Sequence, residues 1–390
     1  MWKRLLLTSL LAATALASPT PQGYGKTQKE DGQVVVAYWT GAPSADSLNY
    51  TQFSHLYVSF GTIESNFTVS VPTDLLTSSV PVAHANDTKV VLSIGGWGNC
   101  MNYSPLVNNY TAHDVFIESL QSIISEYNVD GFDFDWEYPG QQGACDQPYA
   151  HSDTLNYLIL LQKLRKAVGW DVILTAPTWT EPFADSTGAP SKDLRGFSEV
   201  LHWINLMTYD LNDIWGNTTG VASPLRDGQG YFPANSSIEL AAELWYKTGF
   251  PYSNMTVGIP FYGHYATSVS SMAENKPWEV WVPVVGASME LLCTGDGLGS
   301  TWTYEQIYSW CLEEGDFTKA KNGWMRQYDP KTETPWLFHP GNNTFISYDD
   351  PISVKAKVDY IKSKKFRGGM YWELGQDGGM LMPVVAELLA

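Results

Sequence analysis

Four carboxylates fall within eight residues at Asp130, Asp133, Asp135 and Glu137, interleaved with Phe132, Phe134 and Trp136. In an extended strand alternate residues face opposite sides, which puts Asp133, Asp135 and Glu137 on one face and the three rings on the other. At about 3.3 Å per residue, successive acids of that row are roughly 6 to 7 Å apart, and side-chain rotation brings them closer. Like charges so placed do not all ionise. At least one carboxyl keeps a proton near neutral pH, as a general acid must if it is to protonate a leaving group. Asp130 has the opposite parity and reads as structural, anchoring the strand start or a turn with Gly131. Three acids in a row also suit a hard cation, but a calcium loop places its ligands around a glycine-containing turn. This row alternates with large hydrophobes, so no metal and no cofactor is expected.

Such a row needs a buried strand whose acids point at a common centre. Seven more short apolar runs occur, at Val34–Trp39, His55–Phe60, Lys89–Gly96, Val172–Pro177, His202–Asp210, Thr256–Gly263 and Gly368–Glu373, and Gly131–Glu137 makes eight. Unbroken apolar runs between polar or glycine-bearing turns fit strands covered on both faces. Between several of them the spacing is helical: Phe116, Leu120, Ile123 and Tyr127 in one segment, Leu158, Leu161 and Leu164–Val168 in another, and a run after Ser237 that this serine can cap. Eight strands alternating with helices predict an α/β fold, a (β/α)8 TIM barrel over residues 33–263 and 341–390. The gap before the last strand exceeds one helix, so residues 264–340 are expected to form a small α+β insertion subdomain. In a barrel wall the acids point inward and the rings pack outward under the helices. Glu137 then lies nearest the C-terminal mouth, where barrel active sites are built, with Asp135 and Asp133 deeper.

The bulk properties narrow the partner. The chain of 390 residues carries a formal net charge of -18, which disfavours nucleic acid and an anionic membrane surface. Aromatics make up 14% of it, a surplus suited to stacking on flat neutral ligands such as sugars. Residues 1–17, with a basic start, a short apolar run and Ala15-Leu16-Ala17, read as a secretory signal peptide, followed by a polar leader over 18–32. A secreted, extracellular and monomeric protein is expected. Its four cysteines favour two disulfides over a metal site; of three connectivities, Cys100–Cys145 with Cys293–Cys311 is preferred. Sequons at Asn49, Asn66, Asn86, Asn102, Asn109, Asn217, Asn235, Asn254 and Asn342 are expected on surface loops.

The spacing of Asp130, Asp133, Asp135 and Glu137 resembles the DxxDxDxE signature of family 18 glycoside hydrolases, the chitinases. Other motifs match in order: SIGGW at Ser93–Trp97, MTYD at Met207–Asp210, GIPFYG at Gly258–Gly263, Trp372 in GGMYWE, and SYDDPIS at Ser347–Ser353. The resemblance spans about Val34 to the end of the chain. It implies hydrolysis of chitin or chitooligosaccharides in which the substrate's 2-acetamido oxygen is the nucleophile. Glu137 is then the acid and later the base, Asp135 orients the acetamido group, Asp133 shares a proton with Asp135, and Tyr209 donates to the acetamido carbonyl. Asp210 contacts the distorted sugar, Trp372 forms its floor, Trp97 and Tyr138 line the cleft, and Gly95, Gly96 and Met207 complete the substrate-binding set. His264 departs from the pattern, standing where many relatives carry Arg. No separate carbohydrate-binding module is visible, so soluble or less ordered chitin is the expected substrate. Two other readings share these residues: an endo-β-N-acetylglucosaminidase acting on N-glycans, and a non-catalytic chitin-binding lectin, which predicts loss of the acid at Glu137.

Overall fold

The computed structural model describes residues 32–144, 146–212, 216–227, 237–285 and 301–390. The expected signal peptide, and the leader up to Asp31, lie outside these. Strands β1 (Val34–Trp39), β2 (His55–Ile63), β3 (Lys89–Gly95), β4 (Gly131–Asp135), β5 (Ile173–Thr178), β6 (Trp203–Leu206), β7 (Met255–Pro260) and β8 (Gly368–Trp372) each pair in parallel with the next. Strand β8 pairs with β1 and closes the ring, which is the expected eight-stranded barrel.

Helices cover its outside. After β2 comes α1 (Thr73–Ala85), after β3 come α2 (Tyr103–Val107) and α3 (Ala112–Tyr127), after β4 comes α4 (Asp153–Val168), after β5 α5 (Arg195–Ser198), and after β6 α6 (Ile238–Lys247). Ser237 caps α6 by accepting from the Leu240 N–H, as its position before the apolar run predicts. The first strand is followed only by single 3-10 turns at Ala45–Ser47 and Tyr50–Gln52. Beyond β7 the chain enters a five-stranded antiparallel sheet, in spatial order Thr301–Thr303, Tyr262–Thr267, Thr344–Ser347, Thr334–His339 and Met325–Asp329, with α7 (Tyr304–Cys311) beside it. Helix α8 (Pro351–Lys364) leads back to β8, and α9 (Met382–Val385) follows it.

Strand parity separates two cores. Val34, Val36, Tyr38, Tyr57, Val91 and Met370 pack inside the ring. Phe132, Phe134 and Trp136 belong to the larger core between ring and helices, where Trp136 stacks on Tyr103 at 5.1 Å and Phe134 meets Phe116 at 6.2 Å. The rings of the acidic segment thus anchor β4 outward and leave its carboxylates facing in.

Two expectations are corrected. Cys100 and Cys311 are buried free thiols, and their expected partners Cys145 and Cys293 lie outside the described residues. Cys100 belongs to the core between ring and helices, its Sγ donating to the carbonyls of Asp135 at 3.1 Å and Gly96 at 3.4 Å. Among the sequons, Asn254 is buried rather than on a surface loop, because it closes a one-turn helix that runs directly into β7. Asn102 is half-buried and donates to the Ile63 carbonyl at 2.7 Å, and Asn235 lies outside the described residues. No helix among the described residues is long and apolar enough to cross a membrane.

Candidate active site

The ladder of β4 ends at Asp135, so the predicted row Asp133, Asp135, Glu137 is two residues of strand followed by a turn, with Trp136 N–H bonding back to Phe134. All three acids remain buried: Asp133 is wholly enclosed, Asp135 is 5% exposed and Glu137 8%.

Asp133 sits at the level where β3, β4 and β5 align Ser93, Asp133 and Thr175. Its Oδ2 accepts from Tyr38 at 2.8 Å and Ser93 at 2.9 Å, and its Oδ1 from Thr175 at 2.6 Å and Asn205 at 3.1 Å. Burial raises its pKa to about 6, held from going further by these four donors, which favour the ionised form. Asp135 has no such support: its Oδ1 makes no hydrogen bond among the described residues. Burial and then the charges of Glu137 and Asp133 push it well above the usual carboxylate range. Of the inner pair, Asp133 is therefore built to carry the charge and Asp135 the proton.

Burial likewise lifts Glu137 to about 7; a hydrogen bond from the Tyr138 hydroxyl pulls it down, nearby Asp210 adds to the rise, and the Trp97 N–H opposes it. A carboxyl so poised is still protonated near neutrality and can release that proton. Tyr209 and Asp210 stand past the end of β6, not in it as the run His202–Asp210 predicts, because Asp210 turns the chain through a left-handed conformation, φ 57°. The Tyr209 hydroxyl has no closer partner among the described residues than Met370 Sδ at 4.0 Å, and burial keeps the phenol protonated. The Oδ1 of Asp210 accepts from the Tyr262 hydroxyl and from His264 Nε2, the latter at 2.6 Å.

Aromatic rings complete the surface. Trp372 stacks on Phe60 with centroids 5.5 Å apart and meets Tyr38 at 5.6 Å. Tyr138 lies between Trp97 at 6.5 Å and Trp179 at 6.0 Å, and Trp97 is 39% exposed. Gly95 and Gly96 act through their lack of a side chain. A Cβ on Gly95, at φ 106°, would stand 2.2 Å from the Asp135 carbonyl, and one on Gly96 would strike the Phe60 ring at 2.9 Å. Met207 is buried in the inner core, its N–H bonded to the Thr178 carbonyl. Asp130 stands apart at the N-terminal end of β4, accepting from Val90 N–H at 2.8 Å, His84 at 2.8 Å and Lys89 at 3.0 Å. Burial works to raise its pKa, but these bonds outweigh it and the net shift is downward.

Sequence reasoning singled out neither the donors to Asp133 nor Phe60, Trp179 and Tyr262. A signal existed for some: Tyr38, Thr175 and Asn205 are polar residues inside otherwise apolar strands. Their convergence required the register of the closed ring.

A model of the family described as "Glycosyl hydrolases family 18" matches residues 34–377. Chitinase A1 of Niallia circulans is 30% identical over 302 residues, 74% of this chain but only 40% of that protein's length. A chitinase-like effector of Moniliophthora roreri is 28% identical over 403 residues and matches nearly end to end, 96% of this chain and 95% of that one. The crystal structure of a chitinase from Rhizomucor miehei superposes with a TM-score of 0.82 at 24% identity, covering 92% of this chain and all of that one, a likeness of fold. The match across 34–377 takes in all eight barrel strands and every acid of the site, and the chain belongs to family 18 of the glycosyl hydrolases.

Proposed function

We propose that the chain is a secreted chitinase that cleaves β-1,4 bonds between N-acetylglucosamine units with retention of configuration, using the substrate's own acetamido oxygen as nucleophile. The observation that carries this reading is the unequal support of neighbouring acids: Glu137 at the mouth is lifted to about 7, while Asp135 beside it, its Oδ1 without a hydrogen bond among the described residues, is pushed well above the usual carboxylate range. The usual two-carboxylate retaining scheme needs an ionised nucleophile next to the acid, and Asp135 is a poor one in that state.

Glu137 gives its proton to the glycosidic oxygen as the acetamido oxygen attacks the anomeric carbon and the C–O bond breaks. Asp135 accepts the acetamido N–H on its unpartnered Oδ1 and stabilises the oxazolinium ion. Its proton is shared with Asp133, whose four hydrogen-bond donors steady the charge while Asp135 holds the proton. Glu137, now a carboxylate, takes a proton from water, which opens the ring. Tyr209 donates to the acetamido carbonyl and aligns it, an effect of proximity. Asp210, held by Tyr262 and His264, contacts the sugar, and Trp372 on Phe60 forms the floor.

The substrate is a neutral polymer or oligomer of N-acetylglucosamine, and the protein acts as a monomer after removal of residues 1–17. Chitooligosaccharide and an N-glycosylated protein offered side by side test the substrate: the oligosaccharide is cleaved and the glycoprotein is not. Glu137→Gln tests the chemistry, since a binding protein without catalysis would be indifferent to it.

A further inference from the structure

We propose that Lys357, Asp349 and Ser223 form a positioning relay that fixes the backbone of Tyr209 and Asp210 and thereby governs turnover; the inference rests on the roles given above to those two residues. Lys357 lies on α8 and is completely buried, its Nζ 2.6 Å from Asp349 Oδ2 and 2.8 Å from Ser223 Oγ. An ammonium has only hydrogens to offer, so Ser223 accepts from it and must send its own proton elsewhere. That proton goes to the Thr208 carbonyl, at 2.7 Å. The relay therefore has one direction, from Lys357 through Ser223 to the peptide that begins Tyr209.

The next residue back holds the other side of the turn. Ala222 accepts from the Leu211 N–H at 3.0 Å and donates its own N–H to Ser347 Oγ at 2.8 Å. Tyr209 and Asp210 are thus pinned at Thr208 and Leu211 by two adjacent residues, with Asp210 in a backbone conformation that L residues seldom adopt unaided. A small cleft lined by Asp210, Ser223, Tyr262, His264, Ser347 and Asp349 brings the relay up to the Asp210 side chain. A fully buried ion pair is a weak source of stability, because desolvation offsets its Coulomb gain. Its value here is directional: it denies Ser223 any other hydrogen-bond arrangement.

Ser223→Ala removes one hydroxyl and leaves the ion pair intact. On a chitin oligosaccharide kcat should fall about 10- to 100-fold, with KM within about threefold and melting little changed, the size of effect a misplaced reacting group produces. Lys357→Met with Asp349→Asn, which removes both charges together, should lose a similar factor, and adding Ser223→Ala should cost nothing more because all act through one carbonyl. Hydrogen exchange of the Tyr209 to Leu211 amides in the substrate-free protein reads the same pinning without catalysis and should quicken about tenfold or more in Ser223→Ala. Unchanged exchange, or a kcat for Ser223→Ala within twofold of an active wild type, overturns the relay. A wild type inactive on the oligosaccharide refutes the chitinase reading instead, and the exchange measurement still decides the relay.

Discussion

Replacing Glu137 by Gln keeps the shape of the side chain and deletes its titration. In the native protein burial moves this carboxyl from its ordinary 4.5 to about 7. At about 1.4 kcal/mol per tenfold change in affinity, that corresponds to about 3 kcal/mol. Below about pH 4.5 folded and unfolded chains both carry the proton, and the contribution vanishes. Between there and about 7 the folded chain holds more protons than the unfolded one, so stability falls as pH rises; above about 7 the loss is complete. Gln carries no such loss. Relative to its baseline at about pH 4, the variant should gain about 3 kcal/mol over the native protein by about pH 8. With an unfolding entropy near 2.1 cal/mol/K per residue, a chain of 390 residues has about 0.8 kcal/mol/K, which makes the gain about 4 °C in Tm. Calorimetric melting of both proteins at about pH 4, 6 and 8 reads this directly. The same substitution should lower kcat by about 10²- to 10⁴-fold, and native activity should decline as pH rises through about 7. A variant Tm that, measured relative to the native protein, stays constant or falls as pH rises across that range would mean that Glu137 is not held protonated by its surroundings, and the general acid would have to be sought elsewhere.

Tyr209→Phe should lower kcat on chitooligosaccharides by about 10- to 100-fold with little change in fold, since a single donor to the acetamido carbonyl is lost; equal kcat values would remove Tyr209 from the mechanism. Asp130→Asn should do the reverse, leaving kcat unchanged while costing about 1 to 3 kcal/mol in urea unfolding, because hydrogen bonds from His84, Lys89 and Val90 to a charge are weakened. Phe134→Ala, a cavity beneath β4, should cost about 3 to 5 kcal/mol and is read by the same unfolding curves.

All eight barrel strands were legible as apolar runs, because a strand buried on both faces leaves an uninterrupted signature. Their ends were not. The run His202–Asp210 continues apolar past Leu206, yet the ladder stops there so that Tyr209 and Asp210 can turn into the mouth. Thr256–Gly263 reads as one strand but divides at Phe261, its first part in the barrel and its second in the neighbouring sheet. The alternation Phe132, Asp133, Phe134, Asp135 gave the facing of β4 correctly, since parity is local. The charge states of the acids depend on Tyr38, Thr175 and Asn205, which lie 95, 42 and 72 residues away from Asp133 and meet it only through the ring's register. The cysteine pairing misread Cys100 because a thiol buried against a carbonyl has no sequence signature.

That scatter of partners has a kinetic meaning. The donors to Asp133 come from β1, β3, β5 and β6, so its environment is assembled only by contacts of long sequence separation, the slowest class to form. Until the barrel wall is built around them, Asp135 and Glu137 remain hydrated and titrate as ordinary carboxyls. Near neutral pH, completing the fold must therefore draw protons out of solution and onto these two residues. In the mechanism proposed above, the proton that Glu137 spends on the first glycosidic bond is one the chain acquired in the act of folding.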